Sequence, residues 1–226
     1  MTNDLNLQDP FVPVATVLDL QFRQLEHDKR YHKDIFVLSP KETMVHMTMH
    51  MAKYLGQLYG IAPWTDGWTN AQAYASTRKT YVDTLIIVMS CANALHIDLH
   101  AKTQAILACD IPCNIDALTQ AFARNHHVDH LNRVAGHYVQ SVGRLAKALE
   151  ALDHIEDFPS RKTMEEEVFF IWQIAIQAVG VLDKQRLEPN PSVAQAISER
   201  LTAVEKRNPH WERLGLYNND FVPTKK

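Results

Sequence analysis

The chain has 226 residues, 46% of them hydrophobic and 22% charged, the balance of an ordinary globular protein and not of a disordered one. Lys plus Arg number 23 against 26 Asp plus Glu, a net charge of -3, so no chain-wide positive field marks a binder of nucleic acid or of an anionic membrane. Seven glycines are about half of average usage, which points to helices joined by few tight turns.

Met1-Thr2-Asn3-Asp4 has no basic segment followed by an apolar run, so no signal peptide is expected. The most apolar stretch, Tyr81 to Leu95, is interrupted by Asp83, Thr84, Ser90 and Asn93 and is too short and too polar to span a bilayer. The three cysteines are Cys91, Cys109 and Cys113, with Pro112 inside the closest pair and no second pair. That pattern predicts free thiols in a reducing cytoplasm and no structural zinc site.

Proline-free windows with apolar residues spaced three and four predict helices in this order. A first helix runs from Pro13 to about Lys29. Ser39-Pro40-Lys41-Glu42 starts the next, with Ser39 as N-cap, Pro40 at the first helical position and Glu42 closing a capping box. It runs to Tyr59, stops at Gly60, and buries Met44, Met47, Met51, Leu55 and Leu58. A long helix follows from Asn70 to His96, burying Val82, Leu85, Ile86, Met89, Ala92 and Leu95. Asp98 caps a shorter helix to Ala108, and Asn114 caps another to Asn125. Three more run from Val128 to Leu152, Ser160 to Asp183 and Ser192 to Arg207. No alternating run bounded by hairpin turns occurs, so the expected fold is an all-α helical bundle of about eight helices. Its parts are an N-terminal helix and arm over 1–38, a unit over 39–112, a second over 113–211 and a tail over 212–226. Each unit has two long helices and then a shorter one, which suggests a tandem duplication.

The segment Tyr81 to Leu99, with Asp83, Ala92, Asn93, Ile97, Asp98 and Leu99 in register, resembles the second core helix of the MazG-like, all-α NTP pyrophosphohydrolases. Its pattern there is Glu-x-x-Asp, an apolar helix, then Ala-Asn-x-x-Gly-Ile-Asp-Leu. Val142-Gly143-Arg144-Leu145-Ala146-Lys147-Ala148-Leu149 resembles the same family's Val-Gly-Glu-Leu-Ala-Lys-Ala-Leu. The resemblance covers residues 39–183 as two tandem, diverged units. It implies a divalent metal, magnesium or manganese, held by two pairs of carboxylates, which activates water and releases pyrophosphate from a nucleotide. It also implies a four-helix core, completed in small family members by a dimer and in a tandem chain internally; a homodimer remains open.

The departures are chemical. The first pair of acids falls on His50 and Lys53, the second on Thr80 and Asp83. In the second unit the pairs fall on Gln140 or Ser141 with Arg144, and on Met164 with Glu167. Asp83 is the best catalytic and metal-binding candidate. Lys53, Asn93 and Arg144 are candidates to bind substrate, the two cations by holding a phosphate directly. The bland alternative pairs Lys53 or His50 with Asp83, and Arg144 with Glu167. His46-x-x-x-His50 puts two imidazoles one turn apart, so His46, His50 and Asp83 could hold a transition metal. His126, His127, Asp129, His130 and His137 are either a second such cluster or a solvated helix start. Trp64 and Trp68 could stack on a base or cap the bundle. An active enzyme would need acids recruited from elsewhere, such as Asp66, Glu165 or Glu166. The expected function is therefore a diverged protein that binds a nucleotide or related phosphate compound with weak or no pyrophosphohydrolase activity. Alternatives are an active nucleotide pyrophosphohydrolase and a helical interaction scaffold.

Overall fold

The computed structural model of the chain describes residues 16–61, 71–107, 114–126, 130–185 and 190–207. Its helices are α1 (Val17–Tyr31), α2 (Lys33–Phe36), α3 (Pro40–Ile61), α4 (Ala71–Ala94), α5 (Leu99–Leu107), α6 (Ile115–Ala123), α7 (His130–Asp153), α8 (Ser160–Lys184) and α9 (Val193–Arg207). Among the described residues there is no strand, only an isolated bridge between Thr16 and Asn114. The fold is all-α.

Caps set most of the boundaries. The Glu42 amide donates to Ser39 Oγ (3.3 Å) while the Ser39 amide donates to Glu42 Oε2 (2.9 Å), the reciprocal box expected there. Asn114 Oδ1 accepts from the Asp116 amide (2.8 Å) and Asp98 Oδ1 from the Ala101 amide (2.8 Å), as the sequence predicts. α1 starts later than expected because Thr16 and Asp19 form their own capping box. α3 runs through Gly60, which keeps a helical backbone. The single turn α2 was not expected from the pattern.

Four long helices make the frame. α3 packs against α4 and α7, and α8 packs against α4 and α7, so the four close a ring. The Tyr74 hydroxyl near the start of α4 donates to the Leu182 carbonyl near the end of α8, and Arg161 at the start of α8 donates to the Leu95 carbonyl past the end of α4. These two helices are therefore antiparallel. Lys41 near the start of α3 pairs with Asp153 at the end of α7, which orients that pair likewise. The ring is filled by Met44, Met51, Leu85, Met89, Tyr138, Leu145, Ile171 and Trp172, all fully buried. Each such aliphatic side chain contributes about 1.5–3 kcal/mol on leaving water. The Trp172 indole N–H is satisfied by Thr103 Oγ1 at 3.2 Å, which ties α8 to α5. Outside the frame α1 lies on α4, α6 on α8, and α9 across α4, α6 and α1.

No single helix among the described residues is long and apolar enough to cross a membrane; only α4 and α5 taken together, bent by 108°, reach that threshold. The bend is the corner where α4 ends. Ile97 N–H bonds to the Ala92 carbonyl (2.8 Å) and His96 N–H to the Asn93 carbonyl (3.2 Å), with His96 at φ 54°. This is the Schellman stop, which glycine fills most cheaply. It ends the helix at Ala94, short of the expected His96. The end of α7 repeats the device: Glu156 N–H bonds to the Ala151 carbonyl (2.9 Å) and Ile155 sits at φ 54°. Ile155 is 92% exposed, so its side chain contributes little packing to offset the strain. Ile155→Gly should raise stability by about 1 kcal/mol, read as a higher midpoint in urea at unchanged slope.

Candidate functional site

A cavity of about 300 Å³ opens between α1, α3, α4 and α9. α3 contributes His46, His50 and Lys53 to its wall, residues at spacings of four and three that share one helical face. His46 Nε2 and His50 Nε2 lie 3.0 Å apart, and Lys53 Nζ lies 3.1 Å from His50 Nδ1. Burial, followed by the charges of Lys53, His46 and His32, pulls the His50 pKa from 6.5 to about 4. The ring is therefore neutral at pH 7 and serves as donor, acceptor or ligand. Lys53 also lies over the Tyr54 ring, 4.7 Å from its centroid.

α4 and α9 close the opposite side with Asp83 and Arg200. Arg200 Nε donates to Asp83 Oδ1 at 2.5 Å and Arg200 Nη2 to Oδ2 at 3.0 Å. This is a two-point fork, and it raises the Arg200 pKa further. Lys79, a turn before Asp83, reaches its Oδ2 at 3.5 Å. Asp83 is thus paired with Arg200, 117 residues away, and not with Lys53 or His50. Lys53 has no carboxylate partner among the described residues.

α1 supplies a further buried group. Near its C-terminus it carries His27 and Asp28, and its C-cap is His32. One ligand-type atom from each lies within 4.8 Å of the others. Asp28 Oδ1 accepts from Gln24 Nε2 (2.8 Å), and Oδ2 accepts from the Ser90 hydroxyl of α4. Burial lowers the His32 pKa, opposed by Asp28. This trio escaped sequence reasoning. The signal available was three ligand-type residues within six positions at a helix end.

The other expected residues have structural partners. Asn93 is bound to α1: its Oδ1 accepts from Gln21 Nε2 (3.1 Å) and its Nδ2 donates to the Gln21 carbonyl (3.1 Å). Gln21 also donates to the Ile97 carbonyl (2.7 Å) and accepts from the Leu99 amide (3.2 Å), so the pair clasps α1 to the α4–α5 corner. Arg144 forks onto Glu167, with Nη2 to Oε2 at 2.9 Å, the bland pairing anticipated for it, outside the cavity. Glu165 and Glu166 pair with Arg161 and Lys162 one turn earlier on α8.

His126 and His130 stack with ring centroids 4.2 Å apart. His130 and His137 line a second, shallower groove of about 290 Å³ with Phe122 and Phe170. Asp66, Trp64, Trp68, Cys109, Cys113, His127, Asp129 and the tail lie outside the described residues. Cys91 is a free, fully buried thiol whose pKa is pushed up by burial.

The four-carboxylate magnesium site does not fit these residues. The two acids at the positions such a site would use, Asp83 and Glu167, are each held by an arginine fork, and its other positions include His50, Lys53 and Arg144. Magnesium requires oxygen ligands and several retained waters, which this arrangement does not offer. Comparison with family models, with curated proteins and with solved structures finds no match for this chain.

Proposed function

We propose that the chain is a diverged MazG-like protein that binds a nucleotide or related phosphate compound, with weak or no pyrophosphohydrolase activity, in the cavity between α1, α3, α4 and α9. The observation that carries the reading is Lys53. The bland alternative gave its charge to Asp83, but Arg200 takes that carboxylate. Lys53 is left on the cavity wall beside the neutral His50 ring, with Lys79 also lining the cavity, and an ammonium on a flexible stem suits a phosphate as a point charge. Arg144 does not share this role, because Glu167 satisfies it. The ring of α3, α4, α8 and α7 supports the tandem reading, in which the second unit completes the first unit's core. The buried thiol of Cys91 and the lack of any membrane-crossing helix among the described residues suit a reducing cytoplasmic setting.

The test is calorimetry of a panel of nucleoside mono-, di- and triphosphates and of pyrophosphate, in the presence of a chelator, with pyrophosphate release measured in parallel with added magnesium or manganese. Saturable binding is expected, weakened about tenfold or more by Lys53→Ala, since hydrogen bonds to charged groups contribute roughly 1.5–3 kcal/mol, and unchanged by Arg144→Ala. Release should be slow or absent. No binding by any member of the panel, or binding indifferent to Lys53→Ala, overturns the reading.

A further inference from the structure

One group of metal-ligating residues belongs to neither the resemblance nor the anion reading. A rotation of 100° per residue puts positions 27 and 32 about 140° apart around a continuous helix, so His27 and His32 would not converge on a straight α1. They converge because the chain leaves the helix at His32, whose backbone turns to φ −127° and ψ 50° before α2 begins. The result brings one atom each of His27, Asp28 and His32 within 4.8 Å of the others. Metal bonds of about 2.0–2.2 Å set donor atoms roughly 3–4 Å apart, a contraction that small side-chain rotations supply.

A second, independent observation points to a ligand. The His27 side chain is only 5% exposed, and neither ring nitrogen has a hydrogen-bond partner. The carboxylate oxygens within 4.0 Å of the ring are Asp28 Oδ1, 4.0 Å from Nδ1, and Glu205 Oε1 of α9, 3.7 Å from Nε2, both beyond hydrogen-bond reach. The Gln24 Oε1 beside it is also buried and without a partner. Buried polar groups are rarely left so, and two orphans on one cavity wall mark a place where something binds.

The surroundings complete the arrangement. Gln24 and Ser90 hold the two oxygens of Asp28, and Glu205 stands on the Nε2 side of His27, where a carboxylate orients an imidazole that ligates through Nδ1. We propose that His27 Nδ1, the Asp28 carboxylate and His32 bind one divalent transition-metal ion of zinc type at the α1 end of the cavity. Two imidazoles and one carboxylate select zinc, cobalt or nickel over magnesium and calcium. Three protein ligands leave a position facing the cavity for water or an anion oxygen, as in open zinc sites. This site stands whether or not a nucleotide binds.

The experiment titrates chelator-stripped full-length protein with Co2+, following visible absorption, and with Zn2+ by competition, in the absence of any nucleotide. One equivalent per chain is expected. Asp28→Asn and His32→Ala should each weaken binding about tenfold or more, while His130→Ala leaves it unchanged, with helical circular dichroism confirming that every variant is folded. His32 lies at a helix end and is only half-buried, so its truncation keeps the test informative even if a change at the buried Asp28 or His27 unfolds the chain. No bound metal at millimolar Co2+ or Zn2+ overturns the proposal. So does binding that survives His32→Ala, or binding lost only when His46 and His50 are replaced.

Discussion

Gly180→Ala should cost about 3 kcal/mol, at the upper end of overpacking penalties, and lower the melting temperature by roughly 6–12 °C for a chain of this size. A β-carbon built at Gly180 of α8 would meet the Thr119 carbonyl oxygen of α6 at 2.0 Å, the Ala123 β-carbon at 2.8 Å and the Thr119 carbonyl carbon at 2.8 Å. The first and last of these are main-chain atoms. No side chain can swing away, so the only relief is for α6 and α8 to separate. Separation would open the contact with Leu118 and Ala123, both fully buried. Gly143 of α7 is the internal control: its added β-carbon meets nothing within 4 Å, so Gly143→Ala should stabilise by about 0.5–1 kcal/mol. Thermal unfolding of both variants checks the contrast, and equal effects would contradict the close approach of the two helices.

Asp83→Asn should destabilise the fold by about 3 kcal/mol, the low end for breaking a buried ion pair. The Asp83 side chain is 9% exposed and that of Arg200 20%, so the guanidinium of α9 loses both bonds of its fork where water reaches it poorly. Urea unfolding of the single variant and of Asp83→Asn with Arg200→Met measures this. The double variant should recover much of the loss, because it removes the stranded charge along with its partner. This has a direct bearing on function. Loss of ligand binding in Asp83→Asn alone would report displacement of the cavity wall, and would not identify Asp83 as a metal ligand.

The fold class was legible because prolines and caps cut the chain into windows with one apolar period each. Of the stripes read for α3 and α4, Met44, Met47, Met51, Leu58, Val82, Leu85, Met89, Ala92 and Leu95 are buried, while Leu55 and Ile86 are half-buried against the core. Boundaries failed where the determinant was three-dimensional or local in an unread way: the Thr16–Asp19 box of α1, the left-handed stop at His96, and Gly60 held inside α3. The site was less legible. Arg144 and Glu167 are 23 residues apart on neighbouring helices, and their pairing could be anticipated from register. Arg200 and Asp83 are 117 apart, and nothing in α9 announces its docking on α4. The resemblance directed attention to the positions where its pattern places acids. The buried atoms left without a hydrogen bond, both ring nitrogens of His27 and Gln24 Oε1, lie outside the span that the resemblance covers, on a helix whose C-cap, His32, must bend away before its side chain can meet them.

The cavity's walls come from helices far apart in the chain. α1 and α9 meet through Arg23 and Ser198, 175 residues apart, and face each other again at His27 and Glu205. During synthesis the frame of α3, α4, α7 and α8 can be complete while one wall of the cavity has yet to emerge. Whatever binds against Arg200 needs α9 in place. Its binding energy then adds to the stability of the whole molecule through mass action, so occupancy and resistance to proteolysis should rise together.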